Sequence, residues 1–178
     1  MSVFYSFLLY DAAKAEVNLY KVLEFNTTSR SLYKGRSEED LADVAPYLFT
    51  FPKRSEFESW YIENGWGNAW GVLVQANEEF EILYKHFRKF LLVKTEDEQE
   101  LYFRFYDPRV LRIFLPTCDI SQLKEFFGPV DYYICEDEDP AFGLLFSIKN
   151  NALDTQRITK EEVFGMHAEN KGGRKFFV

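Results

Sequence analysis

The chain has 178 residues, with 21 Lys+Arg against 29 Asp+Glu and a formal net charge of −8 at pH 7, enough length for one compact domain that buries a core without disulfide or metal staples. The acidic balance argues against a non-specific grip on phosphate backbones or anionic lipid, so neither nucleic acid nor membrane is an expected partner. The 19 Phe, 11 Tyr and 3 Trp lean towards a binding protein, since rings beyond what a core accommodates reach the surface and anchor partners.

In chain order, Val3 to Tyr10 is an apolar, aromatic run short enough for a strand covered on both faces. Asp11 stands as a helix cap, and Ala13, Val17 and Tyr20 recur at helical spacing to about Phe25. Ser37-Glu-Glu-Asp40 predicts another short helix that Pro46 ends. Tyr47 to Phe51 reads as a strand, and Ser55-x-x-Glu58 as a capping box before a helix stopped by Gly65. Trp70 to Ala76 is a third strand. After Asn77 as the predicted cap, Phe80, Leu83, Phe87, Phe90 and Leu91 lie on one side of the clearest amphipathic helix. Strands around Leu91–Thr95 and Glu100–Tyr106 follow, then a helix from Asp107 to Pro116, and one from Asp119-x-x-Gln122 through Phe127, stopped by Gly128-Pro129. Val130–Cys135 and Ala141–Lys149 form a strand pair around the acidic Glu136–Asp139 connection, and Thr159-x-x-Glu162 caps a last short helix. The alternation predicts a mixed α+β (α/β) fold, a central mixed sheet with helices packed on it.

The two cysteines, Cys118 and Cys135, do not make a disulfide framework. The start lacks the basic region of a signal peptide and Asp11 interrupts its apolar run early, and no apolar stretch approaches the ~20 residues of a membrane span. The expected compartment is the cytoplasm, with reduced thiols.

In Glu100-Leu-Tyr-Phe-Arg-Phe-Tyr-Asp-Pro-Arg109, an extended strand puts Leu101, Phe103 and Phe105 on one face and Tyr102, Arg104 and Tyr106 on the other. Asp107 suits an N-cap, with Pro108 at the first helical position. Arg104, Arg109 and Arg112 could hold an anion or carboxylate beside the helix start, which would serve a small enzyme acting on an anionic substrate. The simpler reading, and the one preferred, is that Asp107 caps the helix and pairs with an arginine, locking strand to helix. His86 and His167 have no second ligand at metal spacing. Glu136-Asp-Glu-Asp139 lacks the calcium-loop pattern and reads as a solvated acidic loop. No nucleophile elbow, phosphate-cradling glycine loop or Cys-x-x-Cys is present, so no catalytic residue, cofactor or metal is expected. Trp60, Tyr61, Trp66 and Trp70 crowd into eleven residues interrupted by Gly65, Gly67 and Gly71, either as core packing around a tight turn or as an aromatic contact surface. The apolar end Phe176-Phe177-Val178, behind a polar tail, either docks on the body or meets something else. Trp60, Trp66, Trp70, Phe176 and Phe177 are therefore the candidate partner contacts.

The order of motifs carries a resemblance. Leu8-Leu-Tyr-Asp11-Ala, Ser31-Leu-Tyr-Lys-Gly35, Leu41-Ala-Asp-Val-Ala-Pro-Tyr-Leu48, Trp70-Gly71-Val-Leu, Phe87-Arg-Lys-Phe-Leu91, Phe103-Arg-Phe-Tyr-Asp-Pro-Arg-Val-Leu111 with Phe114-Leu-Pro116, and Phe126-Phe-Gly-Pro129 follow one another. The series, over about residues 7 to 130, resembles the adaptor/chaperone family of bacterial type VI secretion, long catalogued as a domain of unknown function. The resemblance implies a family core over residues 1–130 and a short C-terminal extension, 131–178, packing on it, with the polar tail from about 169. It implies that Arg104, Asp107, Pro108 and Arg109 are a family signature, structural in role. It also implies a non-enzymatic adaptor whose partners are an effector (toxin) protein and, as a second candidate, the VgrG spike. Family members often carry a longer C-terminal lobe than this one. An immunity protein that neutralises a toxin is the alternative.

Overall fold

β1 (Tyr5–Asp11) runs through the middle of the molecule, and in the computed structural model, which describes residues 5–16, 18–25, 27–35, 41–94 and 97–165, it anchors a seven-stranded sheet. β2 (Ser29–Ser31), β3 (Pro46–Thr50), β4 (Gly71–Ala76), β7 (Val130–Glu136), β8 (Phe142–Lys149) and β9 (Ala152–Thr159) complete it in the order β2-β3-β1-β4-β7-β8-β9. Every pairing in it is antiparallel. A separate ribbon joins β5 (Leu92–Lys94) to β6 (Glu100–Tyr102). The fold is mixed α+β, as the alternation of patterns predicts, but the central sheet is antiparallel throughout and not the mixed sheet expected, because each strand pairs with neighbours that run against it.

Alternating side chains send the central strands into two cores. Phe7 and Leu9 of β1, Val72 and Val74 of β4 and Tyr133 of β7 face one side. They meet α4 (Phe80–Arg88), α5 (Pro108–Phe114) and α6 (Ile120–Phe127). Leu8, Tyr10, Leu73 and Ile134 face the other side. There they meet α1 (Ala12–Ala15), α2 (Asn18–Glu24), α3 (Glu56–Asn64) and α7 (Lys160–Phe164). The sheet is thus covered on both faces, which is why β4 is apolar but for Gln75 and buried throughout.

Several helix starts follow from capping chemistry. Ser55 accepts from Glu58 N, and Asp119 and Gln122 satisfy each other's backbone as a full capping box. Thr159 and Glu162 do the same for α7. At α3 the box is only half made, because the Glu58 carboxylate bonds Arg54 N instead of the cap. The N-cap of α4 is Glu79 rather than Asn77, with no side-chain bond to the helix.

The structure corrects the sequence reading at further places along the chain. The predicted helix from Asp11 to Phe25 is two helices, because Glu16 adopts a positive φ of 52° and Asn18 Nδ2 bonds Ala15 O, turning the chain between them. The predicted strand Glu100–Tyr106 ends at Tyr102; Phe103 N makes the last ladder bond, to Leu91 O, after which Phe105 turns into the core. The predicted acidic connection is not solvated throughout. Glu136 is the last residue of β7 and is buried, its charge taken up by backbone donors. β9 is an added strand with a polar face to solvent. The predicted helix start at Ser37–Asp40 lies outside the described residues, and a single 3-10 turn, Ala42–Val44, precedes β3. β7 hydrogen-bonds directly to β4, so the segment from 131 through β9 continues the same sheet.

Candidate functional site

The signature residues converge at the end of the sheet where β1 stops, β4 begins and β7 ends. Asp11 is fully buried; its carboxylate accepts from Lys14 N at the start of α1 and pairs with the guanidinium of Arg104. That contact ties β1 to a segment 93 residues further along the chain. Asp107, also buried, caps α5 by accepting from Arg109 N at 3.0 Å, and takes the Arg109 side chain on both oxygens, Nε at 3.0 Å and Nη2 at 2.7 Å. Arg104 Nη2 lies 3.8 Å from the same carboxylate. Burial alone pushes the Asp107 carboxyl up, but the hydrogen bonds and charge of Arg109 outweigh it and hold the group below the usual range. Pro108 occupies the first helical position, where its missing N–H costs nothing.

Arg112 does not join its neighbours over a common ligand. Its Nη1 donates to Glu136 O at 2.9 Å. The Glu136 carboxylate in turn accepts from Gly67 N at 2.7 Å and Ala69 N at 2.8 Å, fastening the loop after α3 to the end of β7. Each of the three arginines is thus engaged inside the protein, Arg104 with Asp11, Arg109 with Asp107 and Arg112 with a backbone carbonyl. The two half-exposed ion pairs are each worth about 1 kcal/mol or less through solvent screening, and the Asp107 cap contributes about 1 kcal/mol more.

The aromatic loop divides. Trp66 is only 6% exposed, packs edge-on against Phe164 at 5.0 Å and donates its Nε1 to Pro140 O at 2.7 Å. It is a core residue with almost no surface to offer a partner, which corrects its place among the contact candidates. Trp60 and Trp70 are half-buried with their rings 5.8 Å apart, Trp60 leaning on Phe25 and Trp70 on Tyr10. Phe176 and Phe177 lie outside the described residues.

His86 is buried, and because a carbonyl oxygen only accepts, its Nε2 carries the proton towards Phe126 O at 2.8 Å. Gly128, at φ +48°, presses on the ring so closely that a Cβ there would sit 2.4 Å from it. Burial lowers the His86 pKa below its ordinary 6.5 despite the bond to Phe126. The folded state therefore binds fewer protons at this residue than the unfolded state. Its contribution to stability is complete above about 6.5 and is lost as the pH falls through that value towards the lowered one. Between pH 7.5 and 5.5 the melting temperature of the native protein should drop further than that of His86→Gln, which keeps a donor for Phe126 O; parallel drops in thermal melts would refute this. Among the described residues no group of three His, Cys, Asp or Glu is placed to hold a metal ion.

Sequence reasoning did not single out the β5–β6 ribbon as surface. Leu92, Val93, Leu101 and Tyr102 are all exposed, as is Ile113 on the outer side of α5 at 73%. No local signal marks it: successive apolar residues at Leu92–Val93 and Leu101–Tyr102 read like a strand covered on both faces, as β4 is.

A family model described as a domain of unknown function, DUF4123, matches residues 6–125. That span holds every signature residue and ends before β7. No curated protein and no solved structure matches the chain.

Proposed function

Because the chain belongs to the DUF4123 family, we propose that it is a non-enzymatic adaptor that binds a type VI secretion effector and helps load it onto the VgrG spike, acting in the cytoplasm of the secreting cell. The match over residues 6–125 carries the reading, since the family as a whole is associated with type VI secretion adaptors. Two features of the molecule support it. The signature arginines, Arg104 and Arg109, are spent on Asp11 and Asp107, and the neighbouring Arg112 on a main-chain carbonyl, which suits residues that hold a scaffold together. The apolar side chains left in solvent at the ribbon and at α5, together with the half-buried Trp60 and Trp70, suit a protein that covers apolar surface on another. Among the described residues no helix is long and apolar enough to cross a membrane.

The test is genetic and biochemical together. Deleting the gene in the secreting cell should abolish delivery of one effector while leaving the rest of the apparatus firing, and the tagged protein should co-purify with that effector and with VgrG. If deletion instead leaves secretion intact and makes the cell sensitive to a toxin, the protein is an immunity protein and the adaptor reading is wrong. The double variant Trp60→Ala/Trp70→Ala should reduce effector capture at least about tenfold, as loss of clustered aromatic anchors does; unchanged capture by the folded variant would remove this patch from the contact surface.

A further inference from the structure

The β5–β6 ribbon pairs Leu92 with Tyr102 and Val93 with Leu101. Each pair shares a face, so both faces of the ribbon carry apolar side chains, the third pair, Lys94 with Glu100, standing at the far end of the Leu92–Tyr102 face, whereas a solvated antiparallel ribbon ordinarily turns a polar face to water. Leu92 is 48% and Tyr102 53% exposed. Their face forms one wall of an open groove whose rim carries Lys34, Arg88 and Lys89. The Tyr33 ring leans on Tyr102 at 5.5 Å and extends the apolar wall.

The charge of this rim runs against that of the molecule. In a chain of net charge −8, three cations surround an apolar trough, and among the described residues none of them is in an ion pair. Arg88 lies over the Tyr84 ring and donates to its hydroxyl, which leaves its charge uncompensated. Glu81, whose carboxyl feels Lys34 from a distance, is held by Arg30. A cationic rim around an apolar trough selects a ligand that buries aliphatic or aromatic side chains and presents carboxylates at its edges. A flat anionic bilayer fits less well, since the groove is concave and the whole molecule repels anionic surfaces at long range.

We propose that this groove docks a short acidic and apolar segment of a partner protein, with Leu92 and Tyr102 as the apolar contacts and Lys34, Arg88 and Lys89 as the electrostatic ones. On the adaptor reading the segment belongs to the effector or the spike; the groove's chemistry does not depend on which.

The experiment uses the purified full chain and a library of random twelve-residue peptides displayed on phage. Enriched peptides should combine Asp or Glu with Leu, Ile or Phe. A synthetic copy of one should bind more weakly at 0.5 M than at 0.1 M NaCl, and at least about tenfold more weakly to Lys34→Glu/Lys89→Glu and to Leu92→Ser/Tyr102→Ser. All four positions are at the surface, and circular dichroism confirms that the variants fold. Enrichment of basic or uncharged peptides, or equal binding by the variants, would overturn the proposal. So would binding to phosphatidylglycerol vesicles that the same variants lose, which would assign the groove to a membrane, or a dimer in sedimentation that Lys34→Glu/Lys89→Glu dissociates, which would assign it to a second copy of the chain. Failure here with effector capture intact leaves the adaptor reading standing; success here with secretion unaffected by gene deletion would overturn that reading and keep the groove.

Discussion

Phe126→Ala should lower the unfolding free energy by about 3–5 kcal/mol, the range for emptying a buried phenylalanine site. Phe126 is 2% exposed on the inner side of α6. Its ring centre lies 5.2 Å from Phe90, 5.3 Å from Phe114, 5.8 Å from Phe105 and 5.1 Å from Tyr133, so it joins the turn after α4, α5 and its own α6 to the sheet at one point. Rings that pack against one another at these angles do not slump into a void, because each is held by several others. The main-chain carbonyl of the same residue accepts from His86 and from Tyr133 Oη, so a shift of α6 would also strain two buried hydrogen bonds. Phe126→Leu, which keeps most of the volume, should cost about 1.5 kcal/mol or less. Urea unfolding of the two variants checks the pair. A loss below about 1 kcal/mol for the alanine variant would mean that the cluster collapses around the gap.

Glu136→Ala should cost about 2–4 kcal/mol, from two backbone donors left without partners. Gly67 N and Ala69 N both point at this carboxylate, and the loop they belong to holds Gly67 at φ +90° and Ala69 at φ +58°. For alanine the left-handed region is unfavourable, and the two hydrogen bonds are what offset that strain. Burial raises the Glu136 pKa, against the pull of the two N–H groups, so removing the charge returns part of its desolvation cost and keeps the net loss from being larger. Glu136→Gln separates the contributions: its amide oxygen can serve one donor and its NH2 none, so it should fall between wild type and alanine. Because Trp66 and Trp70 flank the clamped backbone, the alanine variant should also show altered tryptophan emission before global unfolding. Wild-type stability and emission together would mean that the loop is held by Trp66 packing alone.

What the sequence revealed and what it hid divide along physical lines. Caps and stops are local chemistry, so Ser55, Asp107, Asp119, Thr159 and Gly128 mark true boundaries. The buried strands β1, β4 and β7 announce themselves by apolar runs. β9 does not, because an edge strand needs only half its side chains in the core, and Asp154, Gln156 and Arg157 read as loop. The partner of Asp107 was legible from the neighbouring arginines, but Asp11 as the partner of Arg104 was not, since nothing within one strand predicts which distant carboxylate the fold will bury beside it. Exposure was the least legible property. Trp66 and Leu92 are both apolar residues near a turn, yet one is enclosed by Phe164 and Pro140 while the other stands in water. That difference comes from which side of the assembled sheet each segment meets, a non-local fact.

The place of β4 in the sheet sets the order in which the molecule can be built. Its first neighbour, β1, is synthesised before it, but the strand that covers its other edge, β7, leaves the ribosome only after α4, the ribbon, α5 and α6. Throughout that interval a strand apolar but for Gln75 holds an open row of backbone donors and acceptors, the condition under which unfinished chains pair with one another. The sheet therefore closes only once the last third of the chain has been made. A gene fragment ending at residue 125, where the family match stops, would hold the molecule permanently at that unprotected stage.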